Sequence, residues 1–146
     1  MARFLLLVLL IASCTPRGQI TLAPQAAAVG AVQTVFVGTT RLIDPETGRY
    51  GSGRSEVMQF ARYEVSIPPD RELGEIKFPR KSGKPNPKID FLTTAEVLHS
   101  SPSDFRTDIA RAALKGPRGG REAVIFVHGF NTNFSEGLYR IAQLSH

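Results

Sequence analysis

One cysteine, no tryptophan, three histidines and no long apolar run set the first limits on this chain of 146 residues. A single Cys, Cys14, excludes a disulfide framework and a Cys-based zinc site within one chain. The histidines, His99, His128 and His146, are scattered and form no H-x-x-x-H pair, which argues against a zinc hydrolase. No metal and no cofactor are expected. The longest apolar stretch, Phe4–Ala12, falls well short of the about twenty residues that a spanning helix needs. What is present is the balance of a globular protein: 42% apolar, 21% charged, 8% aromatic. The length allows at most one domain. The net charge of +5 is spread along the chain, and the densest basic cluster, Arg80, Lys81, Lys84 and Lys88, has no stacking aromatics beside it. No nucleic-acid partner is expected; attraction to anionic lipid, or plain solubility, accounts better for the charge.

The beginning of the chain reads as an address. Arg3 supplies a positive start and Phe4–Ala12 an apolar core of signal-peptide length. The next residues, Ile11-Ala12-Ser13-Cys14, resemble a bacterial lipobox: an aliphatic residue, two small residues and the cysteine that receives lipid. The resemblance implies cleavage before Cys14, acylation there, and a lipid-anchored protein of the cell envelope facing the periplasm. Thr15 after the cysteine is compatible with the outer membrane. Domain bounds follow: residues 1–13 a lipoprotein signal peptide, 14–32 a tether without periodicity, and 33–146 a folded portion.

In that portion, Gln33–Val37 reads as a buried strand, and Gly38 to Gly53 as a long loop punctuated by Asp44-Pro-Glu-Thr-Gly48 and Gly51-Ser-Gly53. Gln59–Ile67 alternates, with Ala61, Tyr63, Val65 and Ile67 on one side and Pro68-Pro69 as the stop. Short strands are expected at 74–78 and 89–93. A helix is expected over 104–115, capped by Ser103 and ended by Gly116-Pro117, with Phe105, Ile109, Ala112 and Ala113 on one face. Glu122–Val127 has the continuous apolar character of a parallel strand buried on both faces. After His128-Gly129-Phe130-Asn131, a helix capped by Ser135 carries Leu138, Ile141 and Ala142 on one face and still contains His146.

A strand, a turn and a helix in this order open a βαβ unit, whose ligands bind outside the carboxyl ends of the strands. Gly129 lets the backbone approach a ligand, and amides at a helix start favour negative charge. The segment VIFVHGFNTNFSEGLYRIAQLSH is similar to the His-Gly segment of alpha/beta-hydrolases of the esterase/lipase superfamily, and in particular to a bacterial subfamily of unknown function. VFVGTTR at 35–41, GRYGSGRS at 48–55 and RYEVSIPPDRELGEIKFP at 62–79 resemble the same subfamily in the same order. The resemblance implies an α/β fold of which this chain holds the N-terminal strands, the HGFN loop and the following helix. It implies that the Phe130 N–H is an oxyanion donor, that Gly129 sets the turn, that Asn131 fixes the loop, and that His128 supports the loop without acting as the base.

The expected activity of such a family is carboxylic ester hydrolysis through an acyl-serine. That chemistry needs a Gly-x-Ser-x-Gly elbow, an acid and a histidine in this order. No serine here has glycine on both sides at that spacing; Ser135 in Asn133-Phe-Ser-Glu-Gly137 comes nearest. His99, beside Ser100 and Ser101, precedes the loop, where the family has no base. No catalytic residue is therefore assigned within the chain, which is expected to be inactive alone and to meet an ester substrate only if the domain is completed. A short, non-catalytic, membrane-tethered binding lipoprotein is the alternative. As the front third to half of such a fold, the chain is expected to leave the apolar face of its last helix and one strand edge uncovered. Cys14→Ser is expected to abolish incorporation of an alkyne-labelled fatty acid and to shift the protein from the membrane fraction to the soluble one.

Overall fold

The computed structural model describes residues 17–80, 83–115 and 122–146. The signal segment, Cys14 and the Gly116-Pro117 stop lie outside the described residues. The described part is a mixed α/β structure. A three-stranded antiparallel sheet has the order β1 (Ala31–Asp44), β2 (Arg49–Ile67), β3 (Leu92–His99), and carries two helices, α1 (Pro102–Lys115) and α2 (Phe134–Leu144).

The alternation of β2 builds the layers. Ala61, Tyr63, Val65 and Ile67 are buried, and with Val35 and Phe91 they meet Leu138, Tyr139 and Ala142 of α2 in one core cluster. Successive strand residues face opposite sides. Phe36 and Phe60 therefore turn to the other face, where their rings meet Phe105 of α1 at centroid distances of 5.8 and 4.7 Å. Phe134, Phe78 and Phe91 pack around Tyr50, Tyr63 and Tyr139 on the α2 side. Two of these tyrosine hydroxyls have partners: Tyr63 donates to Glu96 Oε1 at 2.7 Å, and Tyr139 and Thr93 share a contact of 3.2 Å. Burial raises the Tyr63 phenol far above its ordinary range, and the Glu96 carboxylate that accepts its proton adds to this.

Helix α1 is fastened by charge more than by apolar area. Of its residues only Asp108 is buried, and both its carboxylate oxygens accept from Arg62 Nη1 at 3.0 Å. His99 Nε2 lies 3.5 Å from Asp108 Oδ2, and Arg111 Nη1 3.6 Å from Oδ1. Ile109 and Leu114 remain exposed, so the expected apolar face reduces to Phe105, Asp108 and the half-buried Ala112. The helix begins at Pro102, and the amide of Asp104 bonds to Ser101 Oγ at 3.1 Å, so Ser101 and not Ser103 satisfies it.

Several sequence expectations are corrected. The first two strands are longer than expected and form one hairpin closed at Pro45–Gly48. The amide of Gly48 bonds to the Asp44 carbonyl at 2.8 Å with φ 66°, a left-handed conformation that suits glycine. Gly51-Ser-Gly53 belongs to β2 and not to a loop: a Cβ at Gly53 would stand 3.2 Å from Leu42 Cβ, so glycine permits close approach beside an irregular register. Residues 74–78 form no strand, although the Lys77 carbonyl accepts from the Phe91 amide at 2.9 Å, and the strand expected at 89–93 starts later, at Leu92.

Residues 17–30 are packed and not a free tether. Thr93 on β3 exchanges bonds with Thr21 and Ala23, and Ala23 is buried against Leu92 together with Ala26 of a short 3-10 helix at Pro24–Ala28. The apolar face of α2 is covered by the sheet, contrary to expectation. That helix ends at Leu144, and the amide of Ser145 bonds to the Ile141 carbonyl at 3.0 Å, so His146 stands beyond it.

The largest departure is at 122–127, which forms no strand. A strand that is apolar on both sides needs a neighbouring strand and a layer over each face. The sheet here is antiparallel, its two faces are already occupied by α1 and α2, and residues 21–23 take part of the β3 edge. Ile125 at 90% and Val127 at 86% relative exposure consequently face water. Limited chymotrypsin digestion is expected to cut first after residue 115, at Phe126 and Phe130, while the β1–β2 hairpin survives; uniform resistance would contradict this arrangement.

Candidate functional site

The site expected from the sequence lies between the exposed run 122–127 and α2. Asn133 is the N-cap of that helix: its side chain accepts from the Glu136 amide at 2.8 Å, and the Glu136 carboxylate accepts from the Asn133 amide at 2.9 Å. This reciprocal capping box fixes how the chain enters the helix. Ser135, expected as the cap, is the second residue of the helix. Its Oγ lies 2.7 Å from the Gly18 carbonyl and 2.9 Å from Asn133 Oδ1, with no histidine among its partners.

Ahead of the cap the loop turns at Asn131, the one non-glycine residue with a positive φ, 60°, among the described residues. Asparagine tolerates this left-handed region better than most residues. Gly129 has neither a left-handed φ nor an atom within 4 Å of an added Cβ, so the turn geometry expected of Gly129 is carried by Asn131. His128 Nδ1 lies 3.1 Å from the Gly129 carbonyl, and a Cβ added at Gly137 would stand 3.6 Å from His128 Cβ. In a planar trans peptide the N–H points opposite to the C=O. Engagement of the Gly129 carbonyl by His128 therefore turns the Phe130 N–H away from that ring, and this N–H makes no hydrogen bond to another described residue. The Phe130 side chain is fully exposed.

Two arginines that the sequence analysis did not single out hold the next two carbonyls. Arg17 donates through Nη2 to the Asn131 carbonyl and through Nη1 to Asn131 Oδ1 at 3.1 Å. Arg41, on β1, donates to the Thr132 carbonyl at 3.0 Å and to the Gly51 carbonyl at 3.0 Å. Arg41 closes the VFVGTTR run, so a signal for it existed; Arg17, amid Pro, Gly and Gln, carried none. A cleft of about 440 Å³ adjoins the loop, lined by Ile76, Phe78, Phe126, Thr132, Glu136 and Arg140.

The other histidines are not brought here. The His99 side chain, on β3, is covered beside Asp108 and Phe105, and His146 Nδ1 lies 3.4 Å from Gln33 Nε2. Among the described residues no group of three His, Cys, Asp or Glu side chains converges as a metal site, and no helix is long and apolar enough to cross a membrane.

Residues 101–146 match the model of a family described as "Alpha/beta hydrolase of unknown function (DUF900)". That match supports an alpha/beta-hydrolase-type segment over α1, the apolar run, the HGFN loop and α2. No curated protein and no solved structure matches the chain.

Hydrogen bonds from Arg17 hold the Glu136 carboxyl below its ordinary value of 4.5; burial opposes this, and the Asn133 amide assists. A carboxyl whose folded value is depressed contributes its stability above the unfolded value and loses it as pH falls through the folded one. The Glu136 side chain is accordingly expected to titrate below 4.5 by NMR, and Glu136→Gln to cost more stability at pH 7 than at pH 3. Equal cost at both pH values would contradict the capping-box charge.

Proposed function

We propose that this chain is the front part of a lipid-anchored serine-esterase-type hydrolase, whose 128–131 loop supplies a backbone donor to the oxyanion of acyl transfer. The observation that carries the reading is the Phe130 N–H, which makes no hydrogen bond to another described residue and is set in a hydrogen-bonded loop at the start of α2, within the segment that matches a hydrolase family model. Fixed N–H donors of this kind stabilise negative charge as it develops on an ester carbonyl oxygen, and they need no reorganisation at the moment of reaction. His128 orients the Gly129–Phe130 peptide, and Asn131 sets the turn that follows it.

The nucleophilic serine, its base and the acid belong, in this reading, to sequence beyond His146. The present chain supplies binding surface and one donor, and turns over no ester alone. Cys14 is the point of attachment to the membrane, and the cleft beside Phe78, Phe126 and Thr132 is where the acyl or alcohol part of the ester sits against apolar side chains.

The test is to read the coding DNA through the His146 codon and to express the complete frame. A Gly-x-Ser-x-Gly elbow followed by Asp and His, labelling by a fluorophosphonate, and hydrolysis of a short-chain p-nitrophenyl ester are expected. Phe130→Pro removes the N–H and is expected to lower kcat by about 10²–10³ with little change in KM, as loss of one oxyanion donor does. A stop codon with no such elbow, or a proline variant with full activity, would overturn the reading.

A further inference from the structure

The Arg17 guanidinium makes more contacts than an ordinary surface ion pair. Its Nε and Nη2 meet the two carboxylate oxygens of Glu136 at 3.2 and 2.7 Å, while Nη1 and Nη2 also meet Oδ1 and the carbonyl of Asn131. The next residue continues the contact, because the Gly18 carbonyl accepts from Asn133 Nδ2 at 3.0 Å and from Ser135 Oγ at 2.7 Å. We infer that Arg17 is a positioning residue of the HGFN loop: with the Gly18 carbonyl it joins the N-terminal segment to residues 131–136 and holds Asn131 in its left-handed conformation. The inference rests on the reading of 128–131 as an oxyanion loop.

The physical argument separates Arg17 from a solvated charge. An exposed pair that touches at one point contributes little, because water and salt compete and two long side chains must be ordered. Here the Glu136 carboxylate is already ordered by the capping box, and Asn131 lies at the apex of the turn. One planar fork therefore binds two acceptors that neighbouring structure has fixed, and little further freedom is lost.

The contact also restrains the weakest point of the loop. Asn131 has a backbone conformation that side chains rarely adopt, and both of its oxygens are held by the same guanidinium. Arg41 holds the adjacent Thr132 carbonyl from β1. Consecutive carbonyls clamped by two arginines fix the Asn131–Thr132 and Thr132–Asn133 peptide planes, and so narrow the paths open to the chain that leads back to the Phe130 N–H. Lysine at position 17 keeps the charge but not the fork, so it cannot hold Glu136 and both oxygens of Asn131 together.

The experiment compares the chain with Arg17→Ala and Arg17→Lys by residue-resolved NMR and amide exchange. Both variants are expected to shift the Asn131–Asn133 amides and to speed exchange at Glu136 and Gly137 about tenfold, the scale of a charge-assisted hydrogen bond. The amides of Ala61–Ile67 should keep their protection. Unchanged signals at 131–137, full rescue by lysine, or equal loss of protection throughout β2 would each overturn the inference. In the complete hydrolase, Arg17→Ala is expected to lower kcat about tenfold with KM held within about twofold, and unchanged kcat would overturn it as well. Absence of esterase activity in the unaltered complete protein would instead overturn the functional reading, and the NMR comparison would still decide the role of Arg17.

Discussion

Strand β2 is paired on both edges, and the rest of the structure depends on its alternation. Ala61, Tyr63, Val65 and Ile67 are all but inaccessible to water, and the residues between them turn to the opposite face. One strand thus defines two kinds of attachment. On one face α2 docks by apolar and aromatic area, with Leu138, Tyr139 and Ala142 fully engaged. On the other, α1 docks through Phe105 and the Asp108 carboxylate, held by Arg62 from that same strand. The second attachment is the weaker in apolar area and the more exacting in geometry. Removing Asp108 would strand Arg62 in a half-buried site, whereas trimming Ile109 would cost little because that side chain already meets water.

The loop before α2 inherits its order from this arrangement. Tyr139 and Leu138 seat the helix, the Asn133–Glu136 capping box sets its first turn, and the carbonyls of Asn131 and Thr132 are then held by guanidinium groups from two distant parts of the chain. Polar contacts dominate because the loop lies at the surface, where apolar area is scarce. Directional bonds to carbonyls are the means left for fixing peptide planes there. A backbone donor aimed at developing charge needs that kind of support.

How much of this was legible in the sequence depended on where the cause of each feature lies. The period-two pattern of 59–67 and the Pro68-Pro69 stop are local, and the strand follows them; the helices at 102–115 and 134–144 likewise lie close to their expected places. The extension of β1 to Asp44 and the inclusion of Gly51-Ser-Gly53 in β2 were hidden, because glycine there answers to the Leu42 side chain across the hairpin and not to a turn. Tyr139 was missed as a core residue because its hydroxyl finds Thr93 only in the folded state. At the site, the HGFN segment stood out by resemblance. Arg17 did not, since its partners lie more than a hundred positions away, and no local pattern announces a contact at that separation.

The run from Val124 to Val127 marks the limit of pattern reading most sharply. Its composition asks for burial on two faces, and local chemistry cannot provide the strands and helices that would do the burying. The sheet that does form satisfies itself without it. Covering a Val, Ile or Phe side chain is worth about 1.5–3 kcal/mol, so a surface that received Val124, Ile125 and Val127 would gain several kcal/mol before its ordering cost. The same surface would act on the HGFN loop, because Val127 is followed directly by His128 and the loop is already fixed on its other side through Asn131, Asn133 and Glu136. Its far end is tied and its near end follows an exposed run, so the loop has one boundary left to set. On the proposed reading of the loop, burial of the 124–127 run is the step that would turn a partly restrained peptide N–H into a preorganised donor.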